Sequence, residues 1–131
     1  RSSMDNKEFT ELLDRLARAW TLRYYEEVAS YFNERLFYSD AINYSFFDRY
    51  SLFNFFRDDG GHEQNCEFHD HVFDVGRQLG VAEYTYSGHF TYHGTVWIEL
   101  EGDKIAVWRE YQHRTDRSRE SFWKLDERYH P

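Results

Sequence analysis

The chain has 131 residues, of which 40% are hydrophobic and 31% are charged, and these values are typical of one compact folded domain. The net charge of −8 opposes binding to nucleic acid or to an anionic membrane, and no apolar run is long enough to span a bilayer. Aromatic residues make up 21% of the chain, and eleven of them are tyrosines, whose amphipathic rings can line a cavity as well as fill a core.

The chain carries a single cysteine, Cys66, so an intramolecular disulfide is excluded. No secretory signal is recognisable, and the expectation is therefore a cytoplasmic protein. The three residues before Met4 are interpreted as a cloning scar, and no linker or repeat interrupts the remainder. We therefore place a single domain at residues 4–131.

The first half of the chain has the periodicity of helices. Asp5 and Glu8 have the spacing of a capping box, and apolar residues then recur every three or four positions as far as Trp20, which predicts a first helix. A second helix, a brief strand and a third helix are predicted at residues 24–32, 36–38 and 46–56.

The second half alternates apolar and polar residues, as β-strands do. Strands are predicted at residues 64–75, 81–93, 95–101 and 104–113. Gly94 is interpreted as a bulge or bend, and Gly102 lies in a tight turn. These strands form an antiparallel meander, and residues 116–126 follow as a short helix or an irregular tail that packs Phe122 and Trp123. The predicted class is α+β, with a curved antiparallel sheet wrapped around the N-terminal helices.

This order of elements resembles the nuclear transport factor 2-like superfamily, and within it the SnoaL-like group that includes polyketide cyclases. The most specific parts are Trp20 and the segment YTYSGHFTYHGTVWIELEGDKIAVWREYQH, from Tyr84 to His113. The resemblance covers nearly the whole chain. It implies a cone-shaped fold with an internal pocket for a small hydrophobic molecule, and a homodimer formed through the outer face of the sheet.

Glu110 is the first candidate for a catalytic residue. The stretch KIAVWREYQH is similar to the closing strand of limonene-1,2-epoxide hydrolase, where the acid after Trp-Arg activates water, and that position is Glu110 here. Strand alternation places Trp108, Glu110 and Gln112 on one face and Arg109 on the other. Burial among aromatic residues would raise the pKa of the carboxyl toward a useful range. The alternative is a structural pairing with a neighbouring strand or a dimer contact.

Asp40 is the second candidate, on the same resemblance. The YSD stretch lies where the hydrolase holds water with Tyr and Asn, and where ketosteroid isomerases carry a general-base Asp, which implies roles for Tyr38 and Asp40. The alternative is that Asp40 caps the following turn. Neither enzyme's site is complete, because VAEYTYSG contains no Arg and Leu16 stands near the position of the isomerase's oxyanion-binding Tyr.

Two histidines complete the set of candidates. His69 and His71 are two positions apart on a predicted strand, so they are expected to share a face and could partner a pocket carboxylate or contribute to a metal site. No metal-binding motif accompanies them, and we predict neither a metal nor a cofactor. The residues predicted to line the pocket are Trp20, Tyr24, Phe53, Tyr92, Val96, Trp108 and Gln112.

These observations predict a cofactor-free acid–base enzyme that acts on a small hydrophobic substrate. Isomerase, cyclase, dehydratase and hydrolase activities all use such a carboxylate, and the sequence does not separate them. The alternative is a non-catalytic ligand-binding or dimerisation module of the same fold.

Overall fold

The computed structural model describes residues 3–123. These residues form three helices, six strands and one short 3-10 turn. In chain order they are α1 (Asn6–Thr21), α2 (Tyr25–Ser30), β1 (Phe32–Asp40), β2 (Ser45–Asp48), α3 (Arg49–Arg57), β3 (Asn65–Asp74), β4 (Leu79–Ser87), β5 (Thr91–Glu101), β6 (Lys104–Arg114) and the 3-10 turn (Arg119–Ser121). Among them, no helix combines the length and the apolar character needed to cross a membrane.

The six strands form one curved sheet in the order β2-β1-β6-β5-β4-β3. Strands β3 to β6 are the predicted meander, and the α+β class is confirmed. The sheet is mixed rather than antiparallel throughout, because β1 runs parallel to β6. This arrangement follows from the connection through α3, which carries the chain from the β2 edge to the β3 edge before the meander returns to β1.

Helix α1 covers the concave face of the sheet. Its predicted capping box is present: Asp5 Oδ1 accepts the Glu8 N–H at 2.7 Å, and Glu8 Oε1 accepts the Asp5 N–H at 3.0 Å. The face of α1 toward the sheet is buried and consists of Phe9, Leu12, Leu13, Leu16, Ala19 and Trp20. This single apolar stripe is what holds the helix on the sheet.

Between residues 24 and 57, the helices and strands begin and end at different residues from those predicted. Helix α2 ends at Ser30, and β1 begins at Phe32, so the predicted brief strand is nine residues long. The predicted third helix starts later, because residues 45–48 form β2 and Asp48 caps α3 by accepting the Ser51 N–H at 2.8 Å.

The predicted break at Gly94 is wrong. Strand β4 ends at Ser87, the turn lies at residues 88–90, and Gly94 sits inside β5 in regular register with Tyr84 and Gln112. A Cβ at Gly94 would lie 2.7 Å from the Tyr84 hydroxyl oxygen. The glycine therefore makes room for the Tyr84 ring rather than for a bulge.

The tail after β6 is a short 3-10 turn followed by two aromatic residues. Phe122 lies against His93, with ring centroids 5.0 Å apart, and Arg119 lies over the Trp123 ring at 4.1 Å. The rest of the predicted tail, residues 124–126, lies outside the described residues.

Candidate functional site

A β-bulge separates the two histidines that the sequence predicted to share a face. In the pairing of β3 with β4, Phe68 lies opposite Tyr84 but His71 lies opposite Ala82, so β3 carries an extra residue and its alternation reverses. His71 Nε2 is 3.0 Å from Thr10 Oγ1 on α1. His69 therefore points to the other face of the sheet, and the expectation that the two histidines share a face is wrong.

His69 belongs to a chain of hydrogen bonds on the outer face. Its Nε2 is 2.8 Å from Thr85 Oγ1, which is 2.9 Å from His93 Nδ1, and His93 Nε2 is 2.7 Å from the Arg117 carbonyl oxygen. Burial lowers the pKa of His69, and the nearby Arg119 lowers it further. Neither His69 nor His71 reaches the cavity described next.

A cavity of about 330 Å³ lies between the concave face of the sheet and the three helices. Twelve of its twenty-one lining residues are Phe, Tyr or Trp, three are acidic, and none is Lys or Arg. Four of the residues predicted to line a pocket do so: Trp20, Tyr92, Trp108 and Gln112.

Three other residues predicted to line the pocket lie elsewhere. Tyr24 is half exposed and lies under Arg18, whose guanidinium is 5.8 Å from the Tyr24 ring centroid. Phe53 lies under Arg57 at 5.4 Å, and Val96 is fully buried within the core of the sheet. The pattern of apolar residues predicted that these side chains point inward. It does not distinguish a residue of the packed core from one that lines a cavity.

Glu110 lines the cavity and is 6% exposed. Its Oε1 accepts a hydrogen bond of 2.7 Å from Trp108 Nε1, and its Oε2 accepts one from the Tyr44 hydroxyl. The Tyr38 ring stacks on Trp108 at 5.7 Å, and its hydroxyl also interacts with Glu110. Both carboxylate oxygens are thus held in place by aromatic donors.

Burial raises the pKa of Glu110 above that of an ordinary glutamate. The hydrogen bonds from Tyr44, Trp108 and Tyr38 act in the opposite direction because they stabilise the charged form, and nearby Asp40 adds a further upward shift. Burial is the largest cause, and the net direction is upward. Burial also raises the pKa values of Tyr38 and Tyr44, so both phenols stay neutral around the carboxyl.

Asp40 lies beside Glu110 but does not line the cavity. The two residues are register partners on β1 and β6. Asp40 Oδ1 accepts the backbone N–H groups of Ile42 and Asn43 at 2.7 and 2.9 Å, which is the turn cap considered as its alternative role. Its Oδ2 accepts a 3.1 Å bond from Gln112 Nε2. Asp40 therefore shapes the turn and orients Gln112.

Gln112 is a second polar side chain of β6 that lines the cavity. Its Oε1 accepts a 2.6 Å hydrogen bond from the Tyr84 hydroxyl, while its amide donates to Asp40. This pairing fixes which end of the side-chain amide faces each neighbour. The Gly94 backbone opposite Tyr84 leaves the space that this phenol needs.

Tyr44 and Asp59 are among the site residues that the sequence did not predict. The hairpin between β1 and β2 brings Tyr44 back beside Asp40, whose N–H donates to the Tyr44 carbonyl oxygen at 3.0 Å. The short INYS turn after Asp40 is the sequence feature from which the return of Tyr44 could have been predicted. Asp59, which also lines the cavity, accepts two hydrogen bonds from the Arg23 guanidinium at 2.7 and 2.9 Å and a third from the Tyr25 hydroxyl. The Arg23 bond is the main reason why the pKa of Asp59 lies well below its usual range.

Cys66 also lines the cavity. Burial raises the pKa of its thiol to about 12, and Glu110 adds to the shift. The thiol is therefore protonated at neutral pH and lacks the thiolate that a nucleophilic cysteine requires. Within residues 3–123, no group of three or more His, Cys, Asp or Glu side chains is arranged to hold a metal ion.

Several solved structures have a fold similar to that of this chain. An LEH-like epoxide hydrolase from M. tuberculosis superposes with a TM-score of 0.72 over 82% of this chain and 84% of that one, at 14% identity. An NTF2-like protein of unknown function from Cytophaga hutchinsonii superposes with a TM-score of 0.68 over 79% of this chain and 88% of that one, at 11% identity. The chain has the NTF2-like fold.

The NTF2-like fold is shared with a further structure that contains a ligand. This hypothetical protein from Catenulispora acidiphila has a ketosteroid isomerase-like fold and is in complex with trimethylamine; its TM-score is 0.67 over 82% of this chain and 86% of that one, at 18% identity. No protein-family model and no curated protein matches the sequence. At these identities the likeness is one of fold and does not establish a function.

Proposed function

We propose that the protein is a cofactor-free acid–base enzyme in which Glu110 is the base and a small, largely apolar molecule bound in the cavity is the substrate. The observation that carries this proposal is a buried carboxyl facing an aromatic cavity, with its pKa raised by that burial. A catalytic acid or base works best when its pKa is near the working pH, and burial is the usual way to raise that of a glutamate.

The contacts of Glu110 suggest how a proton transfer would proceed. Glu110 takes a proton from a carbon next to a carbonyl, or from water, and the Trp108 N–H keeps the carboxyl oriented. A protonated Glu110 is a weaker hydrogen-bond acceptor than the carboxylate. The Tyr44 hydroxyl can then donate to the oxyanion that forms on the substrate. Isomerisation, cyclisation, dehydration and hydrolysis share this step.

A substrate panel tests the proposal. The M. tuberculosis protein of similar fold is named an epoxide hydrolase, so the panel contains epoxides together with enones and hydroxy ketones. We expect turnover of at least one class without added metal or cofactor, and a rate that rises with pH as Glu110 ionises. Binding of panel compounds without any turnover would contradict the proposal.

The second candidate is a ligand-binding module without catalysis. It is favoured by the hydrogen bonds from Trp108 and Tyr44, which occupy both oxygens of Glu110 as in a structural carboxylate. In that case Glu110 would serve only to orient a ligand. The panel separates the two functions, since only the enzyme converts what it binds.

Replacing Tyr44 by Phe is expected to raise the pKa of Glu110 further. The substitution removes one donor to the carboxylate, and a hydrogen bond to a charged group contributes about 1.5–3 kcal/mol, equivalent to about one to two pKa units. The midpoint of the pH–rate profile should move up by that amount. The matched control is Tyr24→Phe, which alters a half-exposed tyrosine outside the cavity. An unchanged midpoint in the Tyr44 variant would argue against Glu110 as the titrating base.

The homodimer stays a prediction. On the outer face of the sheet, Trp97 and Tyr111 are 37% and 50% exposed. Arg109 lies there as well, 5.7 Å from the Trp97 ring centroid and 2.6 Å from a carboxylate oxygen of Glu99. This pairing explains why an arginine follows Trp108: it points away from the cavity and does not pair with Glu110.

A further inference from the structure

We propose that the molecule bound in the cavity carries a positive charge: a small tertiary or quaternary ammonium compound whose cation pairs with Glu110 and whose alkyl groups contact the aromatic wall. The inference rests on the proposed function, because it concerns the same cavity and the same carboxylate. It adds the charge and the chemical class of the ligand to that function.

The charges around the cavity favour a cation. Glu110, Asp58 and Asp59 are among the lining residues, and no Lys or Arg is. Asp59 is already paired with Arg23, but Glu110 forms no ion pair with any Lys or Arg in residues 3–123. Trp108, Tyr44 and Tyr38 give Glu110 hydrogen bonds but no counter-charge, and a cation bound in the cavity would supply one.

The cavity wall contains aromatic rings of the kind that bind alkylammonium groups. Trp20 and Trp108 stand at 56° to each other with ring centroids 5.4 Å apart, and Tyr38 stacks on Trp108 beside Glu110. Phe56 meets Trp20 edge-on at 5.4 Å. The faces of such rings carry negative charge density and attract a cation placed within about 6 Å, with Trp the strongest of them.

Other classes of ligand fit less well. An anion would approach Glu110 with no lining Lys or Arg to compensate for the repulsion. A neutral apolar molecule would leave the buried carboxylate with its hydrogen bonds from Trp108 and Tyr44 but without a counter-charge. A cavity of about 330 Å³ is at the lower end of the range of ligand pockets, so an amine with a few carbons or a single ring is the appropriate size.

The test compares two probes of the same shape. Choline and 3,3-dimethylbutan-1-ol differ in having a charged nitrogen or a neutral carbon at the branch point. Titration calorimetry on the whole protein is expected to show choline binding at least tenfold more tightly than the alcohol. Equal affinities, tighter binding of the alcohol, or no binding of choline would overturn the inference, and this comparison requires no variant.

A pair of substitutions then tests the role of Glu110. In Glu110→Gln, choline affinity should fall at least tenfold while the affinity for the alcohol changes less than twofold. Glu67→Gln is the matched control, since Glu67 is an exposed residue of β3 outside the cavity lining and its substitution makes the same change in net charge. Choline affinity that is the same in both variants would overturn the inference.

The outcome can be separated from that of the proposed function. If the alcohol binds better than choline but the panel shows turnover, the cation inference falls and the acid–base enzyme stands. If choline is preferred through Glu110 and no compound, including amines added to the panel, is converted, the cation inference stands and the catalytic proposal falls.

Discussion

Replacing Glu110 by Gln is expected to lower kcat/KM by about 10²–10⁴ on the substrate that the panel identifies, which is the usual contribution of a general base. Gln has nearly the same shape, and its carbonyl oxygen can still accept the Trp108 N–H while its amide donates to the Tyr44 oxygen. The change therefore removes the proton acceptor with little change in packing. Steady-state and single-turnover rates measure the loss.

Asp40→Asn is the control for that experiment. Asp40 does not line the cavity and acts through Gln112, so its loss should reduce kcat/KM far less than the loss of Glu110. Asp40 would have to be named the base if Asp40→Asn abolished turnover and Glu110→Gln retained it. Glu67→Gln, at an exposed position of β3, should leave the rate unchanged.

The same Glu110→Gln substitution has an effect on stability that depends on pH. The pKa of Glu110 is higher in the folded state than the ordinary value of 4.5, so the folded protein holds this proton more tightly than the unfolded chain. The resulting stabilisation is present below pH 4.5 and is lost as the pH rises through the folded-state pKa. The Tm of Glu110→Gln relative to wild type should therefore rise over that range, and a difference independent of pH would contradict the raised pKa.

Replacing Gly80 by Ala is expected to destabilise the fold by about 2–3 kcal/mol, the upper part of the usual range for overpacking a core. A Cβ at Gly80 would lie 2.1 Å from Phe9 Cζ. The Phe9 ring has little room to move, because it is fully buried and stacks on Phe73 at 4.5 Å with His71 beside it. Urea unfolding at equilibrium measures the change.

Two further variants establish that the collision with Phe9 is the cause. Gly76→Ala is a matched control, since its Cβ would meet only an Asp74 carboxylate oxygen at 3.4 Å, and its effect should be small. In the double variant Phe9→Leu/Gly80→Ala, the shorter side chain makes room, and the loss should be less than the sum of the two single losses. Additive losses would show that Gly80 acts through something other than Phe9.

Those parts of the fold that depend on regular periodicity could be predicted from the sequence. The stripe of α1 that ends at Trp20 is helical because its apolar spacing has the helical period, and the face of Glu110 follows from the alternation of β6 from Trp108 to Gln112, beyond the irregularity at residues 105–107. Both elements are uninterrupted at the residues concerned. The predicted face of Glu110, on the same side of the strand as Trp108, is therefore the one observed in the cavity wall.

The remainder depends on contacts between residues distant in sequence or on local irregularity. The bulge in β3 reverses alternation between Phe68 and His71, and no glycine or proline marks it. The parallel pairing of β1 with β6 sets Asp40 beside Glu110, yet the two residues are seventy positions apart and the register is decided by packing. Tyr44 reaches Glu110 only because a hairpin returns it to the same face.

The pKa of Glu110, measured directly, tests the central claim that this carboxyl is a buried base. The side-chain carboxyl carbon can be followed by carbon-13 NMR across pH in wild type, with Glu110→Gln used to assign its signal. The account predicts a midpoint clearly above the 4.5 of an ordinary glutamate, because burial outweighs the hydrogen bonds from Tyr44, Trp108 and Tyr38. A midpoint at or below 4.5 would show that these donors prevail, and would make Glu110 a structural carboxylate.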